Sequence, residues 1–240
     1  MIDITQQQEL FIDIAKKLPR KIIVYAIGGT AMMFLGLKEA TKDVDLVFTS
    51  EDDRKVFKES AKSLGFDEGD VKIVYGKKDN VPEMINILDS RLDLFLTKII
   101  TSTFSESMKE RASEIHEFDK NLIIKIANPN DILVMKAVTS REKDREDILN
   151  IINNFNVNWD IIIKESENQI KLGNERAVLD LGTTLEKLKN QNKLPIPPQV
   201  LDSLWKMLKD QISSKIKSNI KQKPKTIPKP KNKNKNPKLF

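Results

Sequence analysis

The chain has 240 residues, 39% hydrophobic and 32% charged, enough to bury a sizeable core beneath a polar surface. It has no cysteine and one histidine, His116, which excludes disulfides, thiolate zinc sites and cysteine nucleophiles and argues against a histidine-rich metal centre or a Ser-His-Asp triad. The net charge of +6 is unevenly spread: Ser213 to Phe240 holds ten lysines and no acid, and subtracting those ten leaves −4 on residues 1–212.

In chain order, Leu10, Phe11, Ile14, Ala15 and Leu18 recur at helical spacing and Pro19 stops them, so residues 5–18 are expected to form an amphipathic helix. Lys21 to Ile27 is a β-branched apolar run halted by Gly28 and Gly29, the pattern of a buried strand, with a short helix from Thr30 to Leu35. Asp43 to Phe48 alternates acidic and apolar residues, a half-buried strand. Ser50 with Asp53 caps a helix reaching about Leu64. Strands are expected at Val71–Tyr75, Ile85–Leu88 and Arg91–Leu96, then a helix over Ser105–Ile115 and a strand over Leu122–Ala127. After Asn128 and Pro129 the periodicity is helical, predicting helices near 130–139, 142–154, 159–172, 174–190 and 198–218, the last two separated by Pro195, Pro197 and Pro198. This order predicts an α+β domain over residues 1–128, a helical domain over 129–220 and a disordered basic tail over 221–240. No apolar run approaches the ~18–20 residues of a membrane span. MIDITQQQEL lacks the features of a signal peptide, so a cytoplasmic protein without a membrane partner is expected.

The chemistry concentrates in Ile27 to Phe48. Gly28 and Gly29 end a strand and open a helix, a turn that can offer free N–H groups to a phosphate, or simply an ordinary turn capped by Thr30. Asp43 and Asp45, two apart on a strand, share one face roughly 7 Å apart at Cα. Their like charges call for a cation between them, such as Mg²⁺, unless the face is merely solvated. Arg91 to Leu96 repeats the alternation, with Asp93 opposite Leu92, Leu94 and Leu96; taken alone, Asp93 would be an ion-pair partner of Arg91. Three acids on neighbouring strands are the set that two-metal phosphoryl or nucleotidyl transfer uses. Elsewhere, His116 reads as a solvated surface residue, Met32, Met33 and Phe34 as core, and Trp159 and Trp205 as anchors between helices.

The succession of strand, Gly28, Gly29, Thr30, short helix, Asp43-x-Asp45 strand and later Asp93 resembles the nucleotidyltransferase (DNA polymerase β-like) superfamily. It is most similar to the small prokaryotic members that include toxin enzymes of abortive-infection and toxin–antitoxin systems. Their second block is matched by Lys136, Arg141, Lys143, Asp144 and Asp147, so the resemblance covers roughly residues 20–155. It implies a nucleotidyltransferase-like mixed sheet with flanking helices. By the same resemblance Gly28, Gly29, Thr30 and Arg141 would bind an NTP, and Asp43, Asp45 and Asp93 would hold Mg²⁺ or Mn²⁺. Asp93 would be the candidate base, Lys136 would neutralise phosphate charge, and Asp144 with Asp147 would orient it or the acceptor. The implied activity moves an NMP onto RNA, including tRNA, or onto a protein. The alternative is an inactive scaffold acting as antitoxin or regulator. The lysine-rich tail is a candidate RNA contact through counterion release.

Overall fold

Most of the short apolar runs become sheet strands and the 3.6-period segments become helices. The computed structural model describes residues 1–87, 90–139, 141–192 and 194–221, so the basic tail expected beyond Lys221 and the Leu88 end of an expected strand lie outside the described residues. The elements are β1 (Ile2–Asp3), α1 (Ile4–Lys17), β2 (Ile22–Ala26), α2 (Gly28–Phe34), β3 (Ala40–Thr41), β4 (Asp43–Phe48) and α3 (Glu51–Lys62). Then come β5 (Asp67–Glu68), α4 (Val71–Tyr75), β6 (Glu83–Ile87), β7 (Ser90–Leu96), β8 (Lys98–Ile99), β9 (Ser102–Thr103) and α5 (Glu106–Arg111). The rest are β10 (Glu114–Phe118), β11 (Leu122–Ile126), α6 (Pro129–Ala137), α7 (Glu142–Asn154), α8 (Trp159–Lys171), α9 (Glu175–Asn192) and α10 (Pro198–Lys221).

The main sheet runs β10-β11-β2-β4-β7-β6-β5, with β8 on β7 and β9 on β8. The β11–β2 and β4–β7 pairs are parallel and the others antiparallel, so the sheet is mixed. Helices α1 and α3 pack together, α3 also meets β4, β6 and β7, and α2 lies against β4. The region from α6 onward is helical. All nine residues of α6 are buried, because it packs against α2 as well as against α7, α8 and α9. The Asn128 side chain caps α6 by accepting the Asn130 N–H at 3.0 Å.

A polar junction ties these parts together. Arg111 at the end of α5 reaches Asp131 of α6 at 2.7 Å and Glu165 of α8 at 2.5 Å. Gln169 donates to Glu165 at 2.9 Å and to the Thr103 carbonyl at 2.8 Å. Burial pushes Asp131 up to about 6 against the pull of Arg111, with Glu165 adding to the rise. Each buried acid therefore depends on its cation or amide partner.

Three expectations are corrected. Val71–Tyr75 is a helix rather than a strand: Asp70 accepts the Lys72 N–H at 2.9 Å at its start, and Gly76, with φ 63°, ends it. Its β-branched residues favoured a strand, but none of them is buried, so no packing enforces that preference. The helix expected over Ser105–Ile115 stops at Arg111, and Glu114–Phe118 pairs with β11 instead. His116 therefore lies on an edge strand, half-buried rather than solvated, with its ring 4.5 Å from that of Phe34 and Nε2 2.8 Å from Glu114 Oε1. Among the described residues no helix is long and apolar enough to cross a membrane.

Candidate active site

The site follows from one register. Parallel pairing of β4 with β7 sets Asp43 opposite Arg91 and Asp45 opposite Asp93. Because side chains alternate, all four point to the same side of the sheet. Val44, Leu46, Leu92 and Leu94 face the other side and are fully buried, which fixes the register against a one-residue slip.

Asp45 is held from two directions. Its backbone N–H donates to Thr30 Oγ1 at 2.8 Å, and its carboxylate lies against Gly28. A Cβ on Gly28 would stand 2.5 Å from Asp45 Oδ2, and Gly28 has φ +56°, so this turn requires glycine twice over. Gly29 is equally confined, since a Cβ there would meet Thr41 Oγ1 at 2.5 Å. Thr30 is fully buried, so its hydroxyl serves the Asp45 backbone. Burial, together with the charges of Asp93 and Asp43, raises Asp45 to about 8.

Asp93 has no exposed surface and is already partnered. The Tyr75 hydroxyl donates to Oδ2 at 2.6 Å, and Arg91 Nε donates to Oδ1 and Oδ2 at 3.0 and 3.2 Å. The same guanidinium reaches Asp43 Oδ2 at 3.0 Å through Nη2, while Asp43 Oδ1 is buried without a hydrogen-bond partner. Burial raises Asp93, with Tyr75 and Arg91 opposing the rise.

Across the cleft, α6 and α7 present the second cluster. Buried Lys136 contacts Asp144 Oδ1 at 3.0 Å and Asp147 Oδ2 at 2.6 Å. Arg141 Nε contacts Asp144 Oδ2 at 2.7 Å, Thr139 donates its hydroxyl to the same oxygen, and Lys38 pairs with Asp147. Burial acts upward on Asp144, but Lys136, Arg141 and Thr139 outweigh it and bring the carboxyl down to about 2. Gly28, Asp45, Tyr75, Lys78, Phe95, Met135, Lys136, Arg141 and Asp144 together line a cleft of about 120 Å³. A roomier hollow of about 530 Å³ lies by Thr49, Arg54 and Lys98, beyond the far ends of β4 and β7 and away from the acids.

Of the residues singled out in the sequence, Gly28 and Asp45 line the cleft from the sheet side and Lys136, Arg141 and Asp144 from the helical side. Asp43 and Asp93 join the first group through Arg91, and Asp147 the second through Lys136, without lining the cleft. Tyr75, Lys38, Lys78 and Thr139 were not foreseen. Arg91 was legible, since it lies two residues before Asp93 on the same strand face. The oxygen-only donor set and the unpartnered Asp43 Oδ1 suit a hard cation such as Mg²⁺. Among the described residues, however, no three acids, histidines or cysteines converge as a ready cage, because Asp43 and Asp93 turn to Arg91.

Comparison with known proteins adds the following. A family model described as "Nucleotidyltransferase of unknown function (DUF6036)" matches residues 1–193. No curated protein sequence matches the chain. Among solved structures, "Crystal Structure of ANT(2")-Ia in complex with adenylyl-2"-tobramycin" is similar at 15% identity and a TM-score of 0.42, covering 75% of this chain and 98% of that one.

Proposed function

Since the chain belongs to the DUF6036 nucleotidyltransferase family, whose model spans residues 1–193, we propose that the cleft between β4, β7 and α6 transfers a nucleotidyl group from an NTP to a hydroxyl acceptor. The observation that carries this reading is the register placing Asp45 beside Asp93, with Gly28 beneath Asp45 and Lys136 and Arg141 lining the same cleft. Asp43 and Asp45, joined by Asp93, would hold Mg²⁺ or Mn²⁺, which when bound supplies charge stabilisation at the reacting phosphate. The Gly28–Gly29 turn brings the backbone close to the triphosphate without side-chain obstruction. Arg141 and Lys78 offer cations to the phosphates. Lys136, fixed by Asp144 and Asp147, keeps its proton and a single orientation towards the cleft. Asp93 would take the proton of the attacking hydroxyl. RNA is an acceptor of matching chemistry, with the ten lysines after Ser213 supplying sequence-independent phosphate contacts.

One observation favours a second reading, an inactive scaffold that binds a partner: Arg91 already neutralises Asp43 and Asp93. One experiment separates the two. The protein is incubated with α-labelled NTPs, Mn²⁺ or Mg²⁺ and total RNA, beside an Asp45→Asn variant. Metal-dependent labelling that the variant loses supports transfer. Labelling that the variant keeps, or its absence with every nucleotide and metal, refutes it.

A further inference from the structure

The candidate base already holds a hydroxyl. Tyr75 Oη lies 2.6 Å from Asp93 Oδ2 and donates to it, which is the relation an acceptor hydroxyl needs with its base before attack. This phenol lines the same cleft as Gly28, Asp45, Lys136 and Arg141, the groups that would surround a triphosphate.

The segment carrying Tyr75 is built to adjust. Helix α4 has five residues, none buried, and is followed by Gly76 at φ 63° and Asn80 at φ 51°. Ile73 on it is 83% exposed. The segment is anchored at its ends, by Gly69 on Met84 and by Asn80 on Ile100. Between them Tyr75 ties it to the body through its hydroxyl on Asp93 and its ring, edge-on to Phe95 at 6.3 Å. A side chain so mounted can shift by a fraction of an ångström to line up with a phosphorus atom without disturbing the core.

We propose that Tyr75 is itself a nucleotidyl acceptor, so that the protein modifies its own chain at this residue. This deepens the reading of the cleft as an NTP-consuming site and rests on it. Tyr75 Oη forms a bond to the α-phosphorus while the bond from that phosphorus to the α–β bridging oxygen breaks. Pyrophosphate leaves with the bonding electron pair, and the phenolic proton passes to Asp93 Oδ2. The product is a tyrosyl phosphodiester. It no longer has a hydroxyl to donate, so Asp93 is released from Tyr75 and the cleft mouth is altered.

The test uses the full chain, α-labelled NTPs and Mn²⁺, with and without added RNA, followed by tryptic mapping. Cleavage after Lys72 and Lys77 yields the peptide Ile73–Lys77, which contains Tyr75 and no other hydroxyl side chain. The expected result is a mass increase of one nucleotidyl group on that peptide, with protein-bound label falling to background in Tyr75→Phe. That variant keeps the ring against Phe95, and its unchanged melting temperature would show that it folds. Label on RNA or on another residue while Ile73–Lys77 stays unmodified overturns the proposal and leaves the transferase reading standing. Absence of metal-dependent NTP binding and of any transfer removes both.

Discussion

Substituting Asp45 by Asn should stabilise the metal-free protein, and the gain should depend on pH. Asp45 is raised from 3.8 to about 8 by burial and by the charges of Asp93 and Asp43. Its folded-state value thus lies above its unfolded one, and the folded state binds more protons between about pH 4 and pH 8. Stability contributed by the protonated form is therefore lost progressively as pH rises through that window. A displacement of this size corresponds to about 6 kcal/mol at pH 8 and above. Asp93 and Asp43 relax when Asp45 is neutralised, and Asn remains a polar group against Gly28, so a net gain of about 2 kcal/mol is expected. For a chain of this length that is a rise of roughly 4–8 °C in melting temperature. Scanning calorimetry in EDTA at pH 5, 6, 7 and 8 would measure it, the two proteins converging towards pH 5. A variant that melts no higher than the parent at pH 8, with an unchanged pH slope, would refute the electrostatic argument.

Gly28→Ala places a methyl group 2.5 Å from Asp45 Oδ2 at a positive φ, so urea denaturation should show a loss of about 1–3 kcal/mol. Lys136→Met leaves Asp144 and Asp147 buried beside fewer cations, and should cost about 3–5 kcal/mol in the same assay. It should also move acid unfolding to higher pH, because Asp144, at about 2 in the parent, contributes stability above its unfolded value that is lost as pH falls through about 2. Truncation after Lys221 removes seven of the ten terminal lysines and should weaken RNA binding. In filter-binding titrations the slope of log K against log salt should become shallower by about 0.7 for each phosphate that the shortened tail no longer neutralises.

Much of the fold and of the site was legible because one-dimensional patterns carry it. Asp43–Phe48 and Arg91–Leu96 alternate cleanly, and both are strands at β4 and β7. The helices from Pro129 onward follow from their period and from the prolines that separate the last two. What sequence reading could not supply was partnership. Nothing local says that β4 and β7 pair in parallel with Asp45 opposite Asp93, since register depends on the packed faces of both strands. Tyr75 was missed because Val71–Tyr75 is rich in strand-forming residues, whereas exposure and the Asp70 and Gly76 caps make it helical. Lys38 escaped notice because its partner Asp147 lies over a hundred residues away. The Ser105–Ile115 segment misled for the opposite reason: its helical first half is real, and its second half joins a sheet edge that forms only with β11.

The parallel strand pairs set the order in which the cleft is assembled during synthesis. Parallel neighbours cannot be closed by a tight hairpin, so each pair waits for a long crossover. Asp45 meets its Asp93 partner only after β7 has emerged, and β2 gains its second neighbour only with β11, where Ile22 pairs with Leu122. The second cluster needs Lys136 and Asp147, later still. Contacts of such long sequence separation form slowly and late. A ribosome-bound fragment ending before α7 would carry all three sheet acids but not the complete cleft, so the two halves of the cleft are assembled at different stages of synthesis.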